Sequence, residues 1–222
     1  MIYTVISTVE KNRIQENRDC CISRQPLNPF PDSLTEYIEN TKNESLKQER
    51  RLAYSTLFCS LKAFFGLDAP QLLRTENGKP YLKNCNISIS LSHSDGIAAV
   101  CISDEGQIGI DIQSEIAPEK QEKLERRFFT DYEVKSERIG VKYYFCTFCD
   151  NEAIFDNIDP DICHTHSFSV KWSAAESLMK LNGGGFGDIA SLPHLAKKSK
   201  TDIREIIISK KYYLAISIKQ EE

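Results

Sequence analysis

A chain of 222 residues, 41% hydrophobic and 27% charged, has the composition of a globular protein and not of a disordered or low-complexity one. It is also long enough to bury a core without disulfide or metal staples. Its formal net charge of −4 gives no broad basic field, so duplex nucleic acid is excluded as an electrostatic partner and any phosphate binding falls to local clusters. The N-terminal MIYTVISTVEKNR lacks a basic leader and a small-residue cleavage site, and no run of about 18 apolar residues occurs, so neither a secretory leader nor a membrane span is expected. The expected compartment is the cytoplasm, where the eight cysteines read as thiols, most of them in the core.

Ile2 to Val9 carries alternating β-branched residues and predicts a strand. Asn12 to Pro31, polar and proline-containing, predicts a loop or insertion, and Ser33 to Asn40 a short helix. From Ser45 to Phe65 apolar residues recur at helical spacing, with Gly66 as a stop. That helix opens on a basic cluster, Lys47, Arg50 and Arg51. TENGKPYL is a turn followed by an extended segment, ISISLSHS alternates with period two, IAAVCIS is a buried strand, DEGQ a turn and IGIDIQ another strand. There follow a charged helix from Pro118 to Arg127, a long irregular segment, a helix around Trp172, and a closing pair of strands, REIIIS and YYLAISIK. IAAVCIS and YLAISIK are both small-residue strands late in their half; an internal duplication jointed near Gly106 to Gly109 gives that pattern, and so does chance.

Within IGIDIQ, Ile110 and Ile112 point to one buried face while Asp111 and Gln113 share the other. A carboxylate and an amide side by side offer oxygens to a hard cation, and an edge-strand Asp in water fits the same letters. In WSAAESLMK, Glu176 and Lys180 stand in the favoured i, i+4 order, worth about 0.2–0.5 kcal/mol as a surface pair. Trp172, Leu178 and Met179, however, demand burial of much of the same helix. The helix runs into NGGGFGD, where Asn182 or Gly183 suits a left-handed cap, and three successive glycines argue for close backbone approach or a mobile rim. Ser92 and His93 end a strand before a turn, and Lys79 sits in the GKP turn; together they make a phosphate cradle, and singly they are ordinary surface residues.

GKPYL, SISLSHSDGIAAVCIS, IGIDIQ, RRFFTDYE and KWSAAESLMK together resemble, in order and spacing, the phosphopantetheinyl transferases of the larger surfactin-synthetase type. The resemblance is close from Arg51 to Lys180 and loose over the C-terminal strands. It implies an α+β fold of two similar α/β halves related by pseudo-twofold symmetry, here 1–106 on the coenzyme A side and 107–222 carrying the magnesium and the catalytic helix. It further implies a monomer that moves the 4′-phosphopantetheine arm of coenzyme A onto a serine of an acyl or peptidyl carrier protein, releasing adenosine 3′,5′-bisphosphate. By position, the resemblance makes Asp111 a magnesium ligand with Gln113 beside it, Glu176 a ligand or base, and Lys180 a catalytic phosphate contact. Arg51, Lys79, Pro80, Ser92 and His93 become contacts to coenzyme A.

The chain departs from the family pattern in three places. Ala175 stands where the family usually has Lys; a lost charge-assisted contact is worth about 1.5–3 kcal/mol, or roughly 10- to 150-fold in rate, unless Lys171, four residues earlier, supplies the charge. Gln113 stands where Glu is frequent and brings no charge to the metal. Both departures also fit a coenzyme A- or carrier-binding protein that has lost catalysis. Finally, an insertion at about 134–170 contains CTFCDNEAIFDNIDPDICHTH. Cys146 and Cys149 with Cys163 and His166 suit tetrahedral zinc, and buried thiols suit the same letters. Tyr143, Tyr144, Phe145 and Phe148 read either as a carrier-docking surface or as core.

Overall fold

The structure is a computed structural model that describes residues 1–8, 30–117, 119–121, 124, 136–147, 167–184, 190–207 and 210–220. It is of the mixed α+β class that the family resemblance implies. In chain order come β1 (Ile2–Thr8), α1 (Asp32–Glu39), α2 (Glu44–Phe65), β2 (Leu72–Arg74), β3 (Pro80–Leu82), β4 (Ser88–Ser94), β5 (Ile97–Ser103) and β6 (Ile108–Ser114). Then follow β7 (Val141–Thr147), α3 (Phe168–Leu181), α4 (Leu192–Lys197), β8 (Ser199–Ile207) and β9 (Lys211–Lys219).

The long helix α2 begins where Asn43 accepts a hydrogen bond from the Leu46 amide at 3.0 Å and ends at Gly66, whose φ of 65° is the left-handed cap that glycine adopts without strain. Its apolar face buries Leu52, Leu57 and Leu61, each worth about 1.5–3 kcal/mol relative to exposure. That face covers one side of a sheet ordered β4-β5-β1-β7. Period two assigns the faces: Ile89, Val100 and Ile102 join the α2 cluster, whereas Ile2, Ile6, Ile97, Ala99 and Cys101 join the core shared with β6 and β9.

A second sheet, ordered β6-β9-β8, is covered by α3. Both sheets have one connectivity: a strand, a long helix, and an antiparallel pair whose last strand sits in the middle, β5 in one and β9 in the other. IAAVCIS and YLAISIK are those two middle strands. The division near residue 106 falls in the turn between β5 and β6.

The seam between the sheets explains the serines of ISISLSHS. Oγ of Ser88, Ser90 and Ser94 accept the backbone N–H groups of Ile108, Ile110 and Ser114 at 3.2, 3.0 and 3.3 Å. Each pair is separated by 20 residues, so β4 and β6 run in the same direction, bridged by hydroxyls instead of carbonyls. Buried amides need partners, and Ser88, Ser90 and Ser94 supply three, while Ser92 on the same face turns its hydroxyl to Asp111.

β7 is a difference from the sequence expectation, which left its residues in an irregular segment. VKYYFCT pairs in parallel with β1, from Ile2 opposite Val141 to Thr8 opposite Thr147. Its residues are strand formers. Tyr143 packs against the core and donates its hydroxyl to buried Asp202 at 3.1 Å, while Tyr144 is exposed. Among the described residues no helix is long and apolar enough to cross a membrane.

Candidate functional site

Helix α3 starts with the Ser167 side chain accepting from the Val170 amide at 3.3 Å, and a run of small residues, Ser173, Ala174 and Ser177, is wholly buried along it. Those small residues permit unusually close packing against β6. A Cβ added at Gly109 would lie 2.0 Å from the Ser177 carbonyl oxygen and 2.5 Å from the Leu181 nitrogen. Strand and helix therefore touch backbone to backbone. Asp111 lies two residues beyond that contact on β6, and Glu176 and Lys180 flank it on α3, so the absence of a side chain at Gly109 sets the distance between the three charged groups.

Asp111 is 2% exposed. Its Oδ1 accepts from Lys180 Nζ at 2.6 Å and from Ser92 Oγ at 2.6 Å, and Lys180 Nζ also lies 3.0 Å from Ser92 Oγ and 3.4 Å from Glu176 Oε2. One ammonium thus joins two carboxylates and a hydroxyl from β4, β6 and α3. Burial pushes the Asp111 carboxyl up, to about 7, against the pull of Lys180 and with the push of Glu176. Burial also works against the charge on Lys180, but Asp111 and Glu176 outweigh it and raise its pKa.

Asp111 Oδ2 is buried and has no hydrogen-bond partner among the described residues. An unsatisfied buried carboxylate oxygen is costly, and a hard cation is the partner its chemistry suits. Among the described residues no three His, Cys, Asp or Glu side chains converge on one point. Two carboxylates completed by substrate oxygens and water are nonetheless the usual donor set for magnesium, and Asp111 with Glu176 fits it.

The remaining expected site residues are distributed differently. Ser92 belongs to the Asp111 cluster, but His93 points to the other face of β4, where Nδ1 lies 2.9 Å from Glu49 Oε2 of α2. Period two separates two residues adjacent in sequence. Lys79 donates to the Leu181 and Ile108 carbonyls at 3.1 and 3.4 Å, tying the GKP turn to the end of α3. Burial pushes its pKa down to about 8, with Lys219 adding to the shift. The same turn is held by Asn77, whose side chain donates to the Gly183 carbonyl at 2.9 Å. Pro80 opens β3, paired with Arg74. Arg51 is exposed and paired with Glu39 of α1. Gln113 shares the face of Asp111 along β6 but makes no hydrogen bond to Asp111, Glu176 or Lys180.

Ala175 is 1% exposed in an apolar cluster with Phe168, Leu178 and Met179, so its methyl faces hydrocarbon and not the charged groups. Cys149, Cys163 and His166, the side chain of Cys146 and the RRFFTDYE stretch lie outside the described residues. Sequence reasoning missed the bridging role of Ser88, Ser90 and Ser94, for which their period-two spacing was a signal. It also missed the packing role of Gly109, signalled by a glycine within a strand, and the pairing of Glu49 with His93, for which no local signal exists.

No protein-family model matches this chain, and no curated protein matches it either.

Proposed function

We propose that this protein is a magnesium-dependent 4′-phosphopantetheinyl transferase acting on an acyl or peptidyl carrier protein. The observation that carries the proposal is the convergence of Glu176, Lys180 and Ser92 on Asp111, drawn from three elements, with the other oxygen of that buried carboxylate lacking a partner among the described residues. The order of the five motifs supports it, and the shared connectivity of the two sheets supports a pseudo-twofold arrangement of two halves. The same reading makes the protein a cytoplasmic monomer.

In this reading Asp111 and Glu176 would hold magnesium, which would neutralise charge on the phosphate oxygens. Lys180, already in contact with both carboxylates, contributes a second cation to the pyrophosphate. The Ser92 hydroxyl, which donates to Asp111 and accepts from Lys180, holds those two side chains in place. Glu176, 21% exposed where Asp111 is sealed, accepts the proton of the carrier serine. That serine oxygen bonds to the β-phosphorus while the bond to the α-phosphate oxygen breaks, and adenosine 3′,5′-bisphosphate leaves.

The test is mass spectrometry of an apo carrier protein incubated with this protein, coenzyme A and magnesium, beside Glu176→Ala and Asp111→Ala variants whose folding is checked by circular dichroism. A mass gain of one phosphopantetheine arm, lost in both variants, is expected. Absence of gain across several acyl and peptidyl carriers, with coenzyme A binding intact, would replace the transferase with a binding protein of the same fold.

A further inference from the structure

Glu49 is a carboxylate in a half-buried position on α2, beside His93, which the family resemblance assigns to coenzyme A. A negative charge there opposes an anionic ligand, so its retention calls for a reason. Its geometry supplies one. Glu49 Oε2 lies 2.9 Å from His93 Nδ1, and Oε1 accepts the Gly96 amide at 2.9 Å, so both oxygens are committed within the protein. Burial works against ionisation of Glu49, but the hydrogen bonds from His93 and Gly96 outweigh it and hold the carboxyl below its ordinary range. An ionised carboxylate only accepts; His93 Nδ1 must therefore carry the hydrogen. With Nδ1 committed to Glu49, Nε2 is the ring nitrogen left for a ligand; the Glu49 side chain is 12% exposed and that of His93 25%. Asp95 also acts on Glu49 through space, against its ionisation; its carboxylate is paired with Lys210 at 2.5 Å and accepts from Ser114 at 2.6 Å.

We infer that Glu49 is a positioning residue, which fixes the tautomer and the orientation of His93 so that Nε2 faces the phosphates of coenzyme A. Fixing one ring nitrogen defines what the other presents, and anchoring Glu49 to the β4–β5 turn through Gly96 removes the rotational freedom that binding would otherwise have to quench. The inference rests on the transferase reading for the identity of the anion, but not for the pairing of the two residues.

Two measurements test it in the full-length protein. Imidazole 15N spectra at pH 8.5, with His93 assigned by His93→Gln, are expected to show the Nδ1–H tautomer in the wild type and its loss in the near-isosteric Glu49→Gln. Calorimetric titration with coenzyme A is expected to show roughly tenfold weaker binding in Glu49→Gln, the low end of what losing a histidine's outer partner costs at metal sites. In a His93→Ala background the same Glu49→Gln change is expected to have no further effect. An unchanged tautomer, or an affinity loss that adds fully to that of His93→Ala, overturns the inference. If the wild type binds no coenzyme A while the tautomer still depends on Glu49, the transferase reading fails and the positioning of His93 by Glu49 stands.

Discussion

Replacing Gly109 with alanine tests the contact that assembles the candidate site. The backbone of Gly109 is not in the left-handed region, so alanine meets no conformational penalty there and, in the absence of neighbours, would stabilise the chain by about 0.4–1 kcal/mol through the unfolded state. Burying the added methyl would contribute about 0.8 kcal/mol more. Against this, the methyl would stand 2.0 Å from Ser177 O, 2.5 Å from Leu181 N and 3.0 Å from Leu181 Cα. All three atoms are helix backbone, which cannot rotate aside as a side chain does. β6 is held from behind by its pairing with β9, Gly109 opposite Ser217. Helix and strand must then separate by about 1 Å, and overpacking of this kind costs about 1–3 kcal/mol, occasionally more. That range is an observed overall cost that already includes such gains, and the rigidity of both partners puts the expected loss near its top, about 3 kcal/mol. Urea denaturation followed by circular dichroism measures it: with a slope of about 2 kcal/mol/M the midpoint falls by roughly 1.5 M at unchanged slope. The same separation draws Lys180 away from Asp111, so under the proposed function coenzyme A binding is expected to weaken in parallel. A midpoint equal to or above that of the wild type would refute the close-packing argument and with it the explanation of how the charged groups are brought together.

Three further outcomes are expected. Ser90→Ala leaves the Ile110 amide, held by Ser90 at 3.0 Å in the buried seam, without an acceptor and lowers stability by about 1–3 kcal/mol in the same urea assay; no change would mean that the serines do not hold the sheets together. Lys79 binds its proton less tightly folded, at about 8, than unfolded, at about 10.4. Between those values the unfolded chain holds the extra proton, so stability rises with pH; Lys79→Met, compared with the wild type from pH 7 to 10, is expected to lose that rise. Asp111→Asn keeps the shape of the buried side chain and its contact to Ser92 but removes a charge, and is expected to weaken manganese binding, read by paramagnetic resonance, by at least about 10-fold. Binding equal to that of the wild type would exclude Asp111 as a ligand.

The sequence by itself determined the local elements and the chemical inventory. Helical periodicity with Gly66 as a stop marks α2, the period-two run ISISLSHS and the strand runs IAAVCIS and IGIDIQ between turns mark β4, β5 and β6, and the spacing of Glu176 and Lys180 puts them on one face of α3, because these features depend on residues a few positions apart. Only the tertiary structure decided which charges meet. Asp111 and Lys180 are 69 residues apart in the chain, Ser92 and Lys180 are 88 apart, and His93 and Glu49 are 44 apart; no local pattern encodes such distances. It also decided that the adjacent Ser92 and His93 serve opposite faces of one strand, that Lys79 ties off a helix, and that Ala175 faces hydrocarbon. The run from Val141 to Thr147 became a strand because β1 offered it an open edge, and the serines of β4 became bridges because β6 came to lie alongside them. Each of these outcomes follows from packing two sheets and two long helices so that buried amides and carboxylates find partners, a condition imposed on the whole chain at once.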